Sequence, residues 1–300
     1  MSGFIDPAIS RKEKIVNEKL TLSELDIVLP SVVEISESGT CNRVCSFCPR
    51  SDPNFPDIKK FIEPRLLNKL LLELAEYNYS GIFLFSGFVE PLLDKKIFDH
   101  VAMVREILPQ ARIEMVTNGD VLNEKRLTRL FESGLNTLLI SAYDSKEQAD
   151  DFVALCQKVG LRDDQFVVRA RYLPPEEDFG ITLSNRAGMM DNGEFAIKSL
   201  SEPLKTPCYY PHYTFFMDYL GDVLMCPHDW GKKIIVGNIY KNSFKEVWAS
   251  QRMKLLRKKL ENGNREFSPC DKCDVKGILM GKEHVKAWNE LEKQQKVKCL

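Results

Sequence analysis

Apolar residues along this 300-residue chain come in short continuous runs, and longer amphipathic segments separate them. Val32, Val33 and Ile35 open the series as a buried strand. A helix follows from about Pro64 to Tyr77, with Pro64 suited to its first position and Leu67, Leu70, Leu71 and Leu74 on one face. Ile82-Phe83-Leu84-Phe85 is a continuous apolar run of the kind a doubly covered parallel strand shows. Ile97, Val101, Val104 and Leu108 then fall in helical register, and residues 111–119 read as a strand ending in a turn. A helix over 123–134 closed by Gly134, a strand over 137–143, a helix over 145–160 ending at Gly160 and a strand over 165–172 complete the series. Five strands alternating with four helices predict crossover units and a parallel sheet, open or curled into a barrel. In such sheets the loops after the carboxyl ends of the strands carry the chemistry.

The flanking regions have a different texture. Residues 1–30 read as a helical lead-in, with a turn or helix over 17–25, and show no chemistry; residues 51–60 are polar and expected at the surface. After Pro174-Pro175 a polar, Gly-rich linker runs to about residue 195. Tyr213–Asp218 and Asp222–Met225 then form a hairpin around Leu220-Gly221. A helix opened by Asn242 or Ser243 and closed by Gly263 follows. Its basic run, Lys254, Arg257, Lys258 and Lys259, reads as a solvated face.

An apolar share of 44% supplies a full core, and a net charge of −1 argues against general nucleic-acid binding. No stretch of ~18 apolar residues is present to span a membrane. The N-terminal stretch lacks the apolar core of a secretion signal. An odd number of cysteines, three of them crowded together, fits reduced thiols in the cytoplasm.

Those three, Cys41, Cys45 and Cys48, are spaced C-x3-C-x2-C, with Phe47 directly before the last. Three soft ligands on one loop can hold three corners of a cubane iron–sulfur cluster and leave the fourth iron open, whereas structural zinc wants a closed set of four. The bland reading is three core cysteines. The loop follows the first strand. Gly87-Phe88-Val89-Glu90-Pro91, Thr117-Asn118-Gly119 and Asp144 follow the next three strands, so all fall at one end of the sheet. Cys208 and Cys226 flank the hairpin, and Cys270-x2-Cys273 supplies a second pair. Spacing alone leaves zinc and an iron–sulfur cluster equally open for this second set. Four ligands would close the site, which suits electron transfer or structure. Cys156 reads as a core cysteine and Cys299 as incidental, while His212 and His228 suit structural or substrate-facing roles.

The cysteine loop resembles the signature of the radical S-adenosylmethionine enzymes, and Ser86-Gly87-Phe88-Val89-Glu90-Pro91 is similar to their Gly-Gly-Glu-Pro motif, with Val89 where the second glycine is expected. Cys208, Gly221, Cys226 and the Cys270–Cys273 pair resemble the SPASM/twitch subgroup, in its shorter form, as in aminocyclitol dehydrogenases and sugar epimerases. The resemblance implies a partial (βα)5–6 parallel barrel over about residues 31–190, after the lead-in of 1–30, and a small twitch/SPASM-like domain over 191–300. A sixth strand would lie in 176–200, or the barrel is reduced. It further implies a catalytic [4Fe-4S] cluster on Cys41, Cys45 and Cys48, an auxiliary [4Fe-4S] cluster on Cys208, Cys226, Cys270 and Cys273, and S-adenosylmethionine as cofactor. Phe47 would lie against adenine, and Glu90 and the backbone near Gly87 would hold the methionyl ammonium. Asn118 and Ser141 would contact ribose, and Arg169 or Arg171 the carboxylate. The expected partners are a small polar substrate, such as a sugar or aminocyclitol, and a flavodoxin- or ferredoxin-type electron donor. In such enzymes reductive cleavage of the cofactor is followed by hydrogen-atom abstraction from the substrate. Dehydrogenation is the reaction expected here; epimerisation and peptide modification are alternatives, and a zinc or electron-transfer module is the non-enzyme one.

Overall fold

The computed structural model describes residues 7–18, 22–23, 27–173, 184–191 and 197–298. Its elements begin with α1 (Pro7–Glu18), then β1 (Leu22–Ser23), paired antiparallel with β2 (Ile27–Val28). The helical lead-in is therefore real but ends earlier than expected, and Leu22–Ser23 is extended where a turn or helix was expected. β3 (Val32–Ser36) runs into the cysteine loop, which β4 (Ser38–Gly39) and the exposed β5 (Ile58–Phe61) brace as an antiparallel pair. The predicted alternation follows: α2 (Pro64–Ala75), β6 (Ile82–Phe85), α3 (Ile97–Ile107), β7 (Arg112–Thr117), α4 (Glu124–Glu132), β8 (Thr137–Ala142), α5 (Lys146–Lys158) and β9 (Phe166–Ala170). Side-chain caps start two of the helices: Asn123 accepts from the Arg126 amide and Ser145 from the Gln148 amide.

The C-terminal part holds α6 (Tyr210–Tyr213), β10 (Thr214–Asp218), β11 (Asp222–Leu224), β12 (Ile235–Asn238), α7 (Phe244–Trp248), α8 (Gln251–Glu261) and α9 (Lys282–Lys298). The hairpin is present as β10–β11, with Phe216 opposite Leu224. Its first arm also lies parallel to β3, Thr214 opposite Val32 and Asp218 opposite Ser36. β10 is thus the sixth parallel strand, and it joins the sheet beside the first strand. Within 176–200, residues 186–189 form a turn, while 176–183 and 192–196 lie outside the described residues, as does Cys299. The sheet order is β12-β11-β10-β3-β6-β7-β8-β9, an open eight-stranded sheet whose parallel part crosses the expected domain boundary near residue 190.

Strand alternation sorts the side chains of β3. Val33 and Ile35 enter the main core under the helices, whereas Val32 joins Ile82 and Leu84 of β6 on the other face. α1 covers that second face. Val16 is buried against Val32 and Ile82, and Arg11 pairs with the buried Glu114 of β7 at 2.9 Å.

Two expectations for 241–298 are corrected. The long helix is two, because Ser250 leaves the helical path and caps α8 by accepting from the Met253 amide. Arg257 is not solvated: it is buried with its guanidinium 4.1 Å from the Trp248 ring and 4.0 Å from that of Trp288 on α9, donating to the Pro211 carbonyl at 2.8 Å. α9 itself was not foreseen.

Candidate active site and auxiliary thiol site

At the carboxyl end of the parallel strands lies a cavity of about 330 Å³. Cys41, Cys45, Cys48, Phe47, Gly87, Glu90, Asn118, Ser141, Arg169 and Arg171 all line it, so every residue assigned to the first cluster and its cofactor reaches one space. Local geometry explains why. Gly87 has φ +91°, and a Cβ there would stand 2.6 Å from that of Ser36, so the loop needs this glycine. The Ser36 hydroxyl accepts from the Phe88 amide at 3.1 Å. Val89 in place of a second glycine causes no break, since the Glu90 amide still reaches the Thr40 carbonyl at 3.1 Å.

Glu90 is buried, and its carboxylate accepts from the Thr117 hydroxyl (2.7 Å), the Asn118 amide (2.7 Å) and the Leu92 amide (3.0 Å). Burial raises its pKa to about 6, against those hydrogen bonds, which lower it. The cysteine loop is held at both ends. Arg43 forms bidentate pairs with Asp120 and Asp144, which hold its pKa well above the ordinary value, and its guanidinium lies 5.5 Å from the Tyr143 ring. Arg50 donates to the Phe88 carbonyl (2.8 Å) and the Gly39 carbonyl (3.0 Å). Phe47 packs on Tyr143 at 5.4 Å between ring centroids, and Arg169 donates to the Ser141 hydroxyl at 2.8 Å. The three thiols are half-buried, and burial raises the pKa of each, that of Cys45 to about 11. Three soft donors facing a cavity, with no fourth thiol among its lining residues, fit a cluster with one open corner.

Some cavity residues carried no sequence signal or went unread. Glu34 of β3 is buried in the wall, where Ser86, Lys12 and Arg186 oppose the rise in pKa that burial causes. An acid amid Val32, Val33 and Ile35 was a readable anomaly. Lys12 arrives on α1, in a stretch that showed no chemistry, and only tertiary packing brings it here. Arg186, at φ +47°, places its guanidinium 5.4 Å from the Trp230 ring.

Cys208, Cys226, Cys270 and Cys273 converge on a second, smaller pocket. Burial raises the pKa of all four, neighbouring thiols add to the rise at Cys226, Cys270 and Cys273, and Cys273 reaches about 11. Arg265 works the other way on Cys208, Cys270 and Cys273. This buried guanidinium also donates to the Thr206, Pro207, Val275 and Lys276 carbonyls at 2.6–2.9 Å, tying the segment entering Cys208 to the loop leaving Cys273. Gly277, at φ +67°, is needed because a Cβ there would run into the Cys208 thiol. Asp229 shapes the loop after Cys226 by accepting from the Lys233 (2.9 Å) and Ile234 (2.8 Å) amides. Four converging thiols, Cys208 buried and the other three half-buried, beside a buried cation fit a closed, anionic thiolate cluster.

Tyr210 and His228 line both pockets and so form the wall between the two thiol sets. Their rings meet edge to face at 4.9 Å, the His228 amide donates to the Cys226 sulfur at 3.4 Å, and burial drives the imidazole pKa down to about 3. His212 is instead buried beside Glu261 and α9, away from the cavity, and Cys156 sits in the main core.

Residues 35–166 match the Radical SAM superfamily, and residues 208–274 match SPASM, an iron–sulfur cluster-binding domain. The chain is 30% identical over 245 residues to the S-adenosyl-L-methionine-dependent 2-deoxy-scyllo-inosamine dehydrogenase of Niallia circulans, covering 81% of this chain and 92% of that protein. It also resembles the crystal structure of BtrN in complex with AdoMet and 2-DOIA, with a TM-score of 0.69 and 27% identity over 85% of this chain and 96% of that one. Native anSMEcpe with bound AdoMet shares the fold at a TM-score of 0.51 and 13% identity, over 89% of this chain and 98% of that one. The chain belongs to the radical S-adenosylmethionine superfamily and carries a SPASM-type iron–sulfur domain. It is a radical S-adenosylmethionine oxidoreductase whose cofactors are S-adenosylmethionine and two [4Fe-4S] clusters. No helix among the described residues is long and apolar enough to cross a membrane.

Proposed function

We propose that the enzyme oxidises a secondary alcohol of a small polyhydroxylated ring, a sugar or an aminocyclitol, to the ketone. Cys41, Cys45 and Cys48 are the ligands of the catalytic cluster, and Cys208, Cys226, Cys270 and Cys273 those of the auxiliary one, in a core of about 31–190 that β10 completes and an appended region that makes up the rest of 191–300. When bound, the first cluster and S-adenosylmethionine supply reductive cleavage of the cofactor and abstraction of a hydrogen atom from substrate. The chain's own residues orient the partners. Glu90, fixed by three donors, receives the methionyl ammonium beside the Gly87 backbone, and Arg169 or Arg171 the carboxylate. Phe47 lies against adenine, with Asn118 and Ser141 near ribose. Lys12, Glu34, Arg186 and His228 remain for the substrate.

Removing two electrons and two protons from an alcohol leaves one electron and one proton after hydrogen-atom abstraction. The observation that carries the reading is the shared wall: Tyr210 and His228 separate the cavity from the four-thiol pocket, so a substrate in the cavity stands beside an acceptor for that electron. Epimerisation would need a thiol to return a hydrogen atom. Among the described residues the cavity thiols are Cys41, Cys45 and Cys48, all committed to the cluster. A flavodoxin- or ferredoxin-type protein supplies the initiating electron, and the cytoplasm is the compartment that keeps such thiols reduced. The test is a panel of sugars and aminocyclitols deuterated at each carbinol carbon, followed by mass spectrometry. Label in 5′-deoxyadenosine together with a ketone supports dehydrogenation; label with an inverted alcohol would replace it by epimerisation.

A further inference from the structure

Outside the linings of both thiol sites, Glu37, Asp94 and His100 point at one another in the protein interior. Their relative exposures are 0%, 4% and 1%. Neither oxygen of Glu37, neither nitrogen of His100, nor Asp94 Oδ2 has a hydrogen-bond partner. Buried carboxylates and imidazoles are almost always satisfied, because stripping them of water without replacement costs several kcal/mol each (~2–7 even for a neutral polar group). Here five such atoms lie together. His100 Nδ1 is 3.5 Å from Asp94 Oδ2 and 3.8 Å from Glu37 Oε2, too far for hydrogen bonds.

Those separations suit a shared cation. Ligands held ~2.1 Å from one ion at a tetrahedral angle lie about 3.4 Å apart. One imidazole and two carboxylates are a donor set for a divalent first-row metal, and two carboxylate charges cancel its own. We infer that Glu37, Asp94 and His100 form a structural site for a divalent transition metal of the zinc or manganese class. Such an ion would bind together the end of β3, the turn that follows Glu90 and the first turns of α3. The site is independent of which substrate the enzyme takes.

Elemental analysis of the full chain, prepared anaerobically with its clusters and grown with zinc and manganese supplied, tests this. We expect about one zinc or manganese per chain besides iron. Glu37→Gln and His100→Gln should each lose it while iron content and cluster absorbance stay unchanged. Anomalous scattering at the zinc and manganese edges from wild-type crystals needs no variant, and a peak among the three side chains is expected. Wild-type protein with iron alone and no such peak would overturn the site, leaving a protonated carboxyl beside a neutral imidazole. So would variants that fold and keep the metal.

Discussion

The two thiol sites of this chain differ in almost every physical respect. Cys41, Cys45 and Cys48 sit on one loop, half-exposed, around a cavity of about 330 Å³ at the end of a parallel sheet. Cys208, Cys226, Cys270 and Cys273 come from three separate segments and close on a pocket whose other walls include Leu260, Met225 and Pro211. The first loop is fastened by charged groups at its rim, Arg43 to Asp120 and Asp144. The second is fastened from inside, by Arg265 and its four carbonyl partners. An open site can exchange cofactor and admit substrate; a closed one can only pass electrons or hold the fold together. On the proposed reading, that difference in access gives the initiating step to the open site and the accepting step to the closed one.

The sharpest break is at the ligands. Cys45→Ala should abolish cleavage of S-adenosylmethionine, a loss of more than ~1,000-fold, because three thiols are the minimum for the open cluster. Iron content should fall by about half. Next, Arg265→Met should strip the auxiliary site, lowering iron from about eight to about four per chain and stability by ~2–4 kcal/mol, since four carbonyls lose a buried charged donor. Thermal melting and iron analysis check both numbers, and cofactor cleavage should persist.

Glu90→Gln should weaken S-adenosylmethionine binding by ~10–100-fold, the scale of one charge-assisted hydrogen bond. Because burial raises the Glu90 pKa to about 6, its carboxylate protonates as pH falls through that value. Affinity for the methionyl ammonium should begin to fall as pH drops toward 6, be about halved near pH 6 and decline further below it, and the Gln variant should lose this dependence. Binding titrations across pH measure this. The smallest effect is expected at Lys12→Ala, a rise in KM of ~3–10-fold at unchanged cofactor cleavage, because only the substrate end of the cavity changes.

Much of this was legible in the sequence, for physical reasons. The strands from Val32 to Ala170 are apolar because helices cover the sheet, and that burial writes itself as continuous runs. That each cysteine set converges on one pocket was legible because sites built from several thiols constrain their spacing. The pairing of β10 with β3 was not, since a hairpin is specified locally whereas a parallel partner some 180 residues away is not. The break at Ser250 hides in a helical apolar pattern, and Arg257 looks like any surface cation until Trp248 and Trp288 enclose it. Lys12 depends on where α1 docks, through Arg11 and Val16, which no local pattern announces.

The claim that the open site starts one reaction and the closed site completes it is tested most directly by Cys273→Ala, supplied with substrate deuterated at the reacting carbon. Deuterium should still appear in 5′-deoxyadenosine at close to the wild-type extent while the ketone falls at least ~10-fold. Ketone formed at the wild-type yield by that variant would contradict the account.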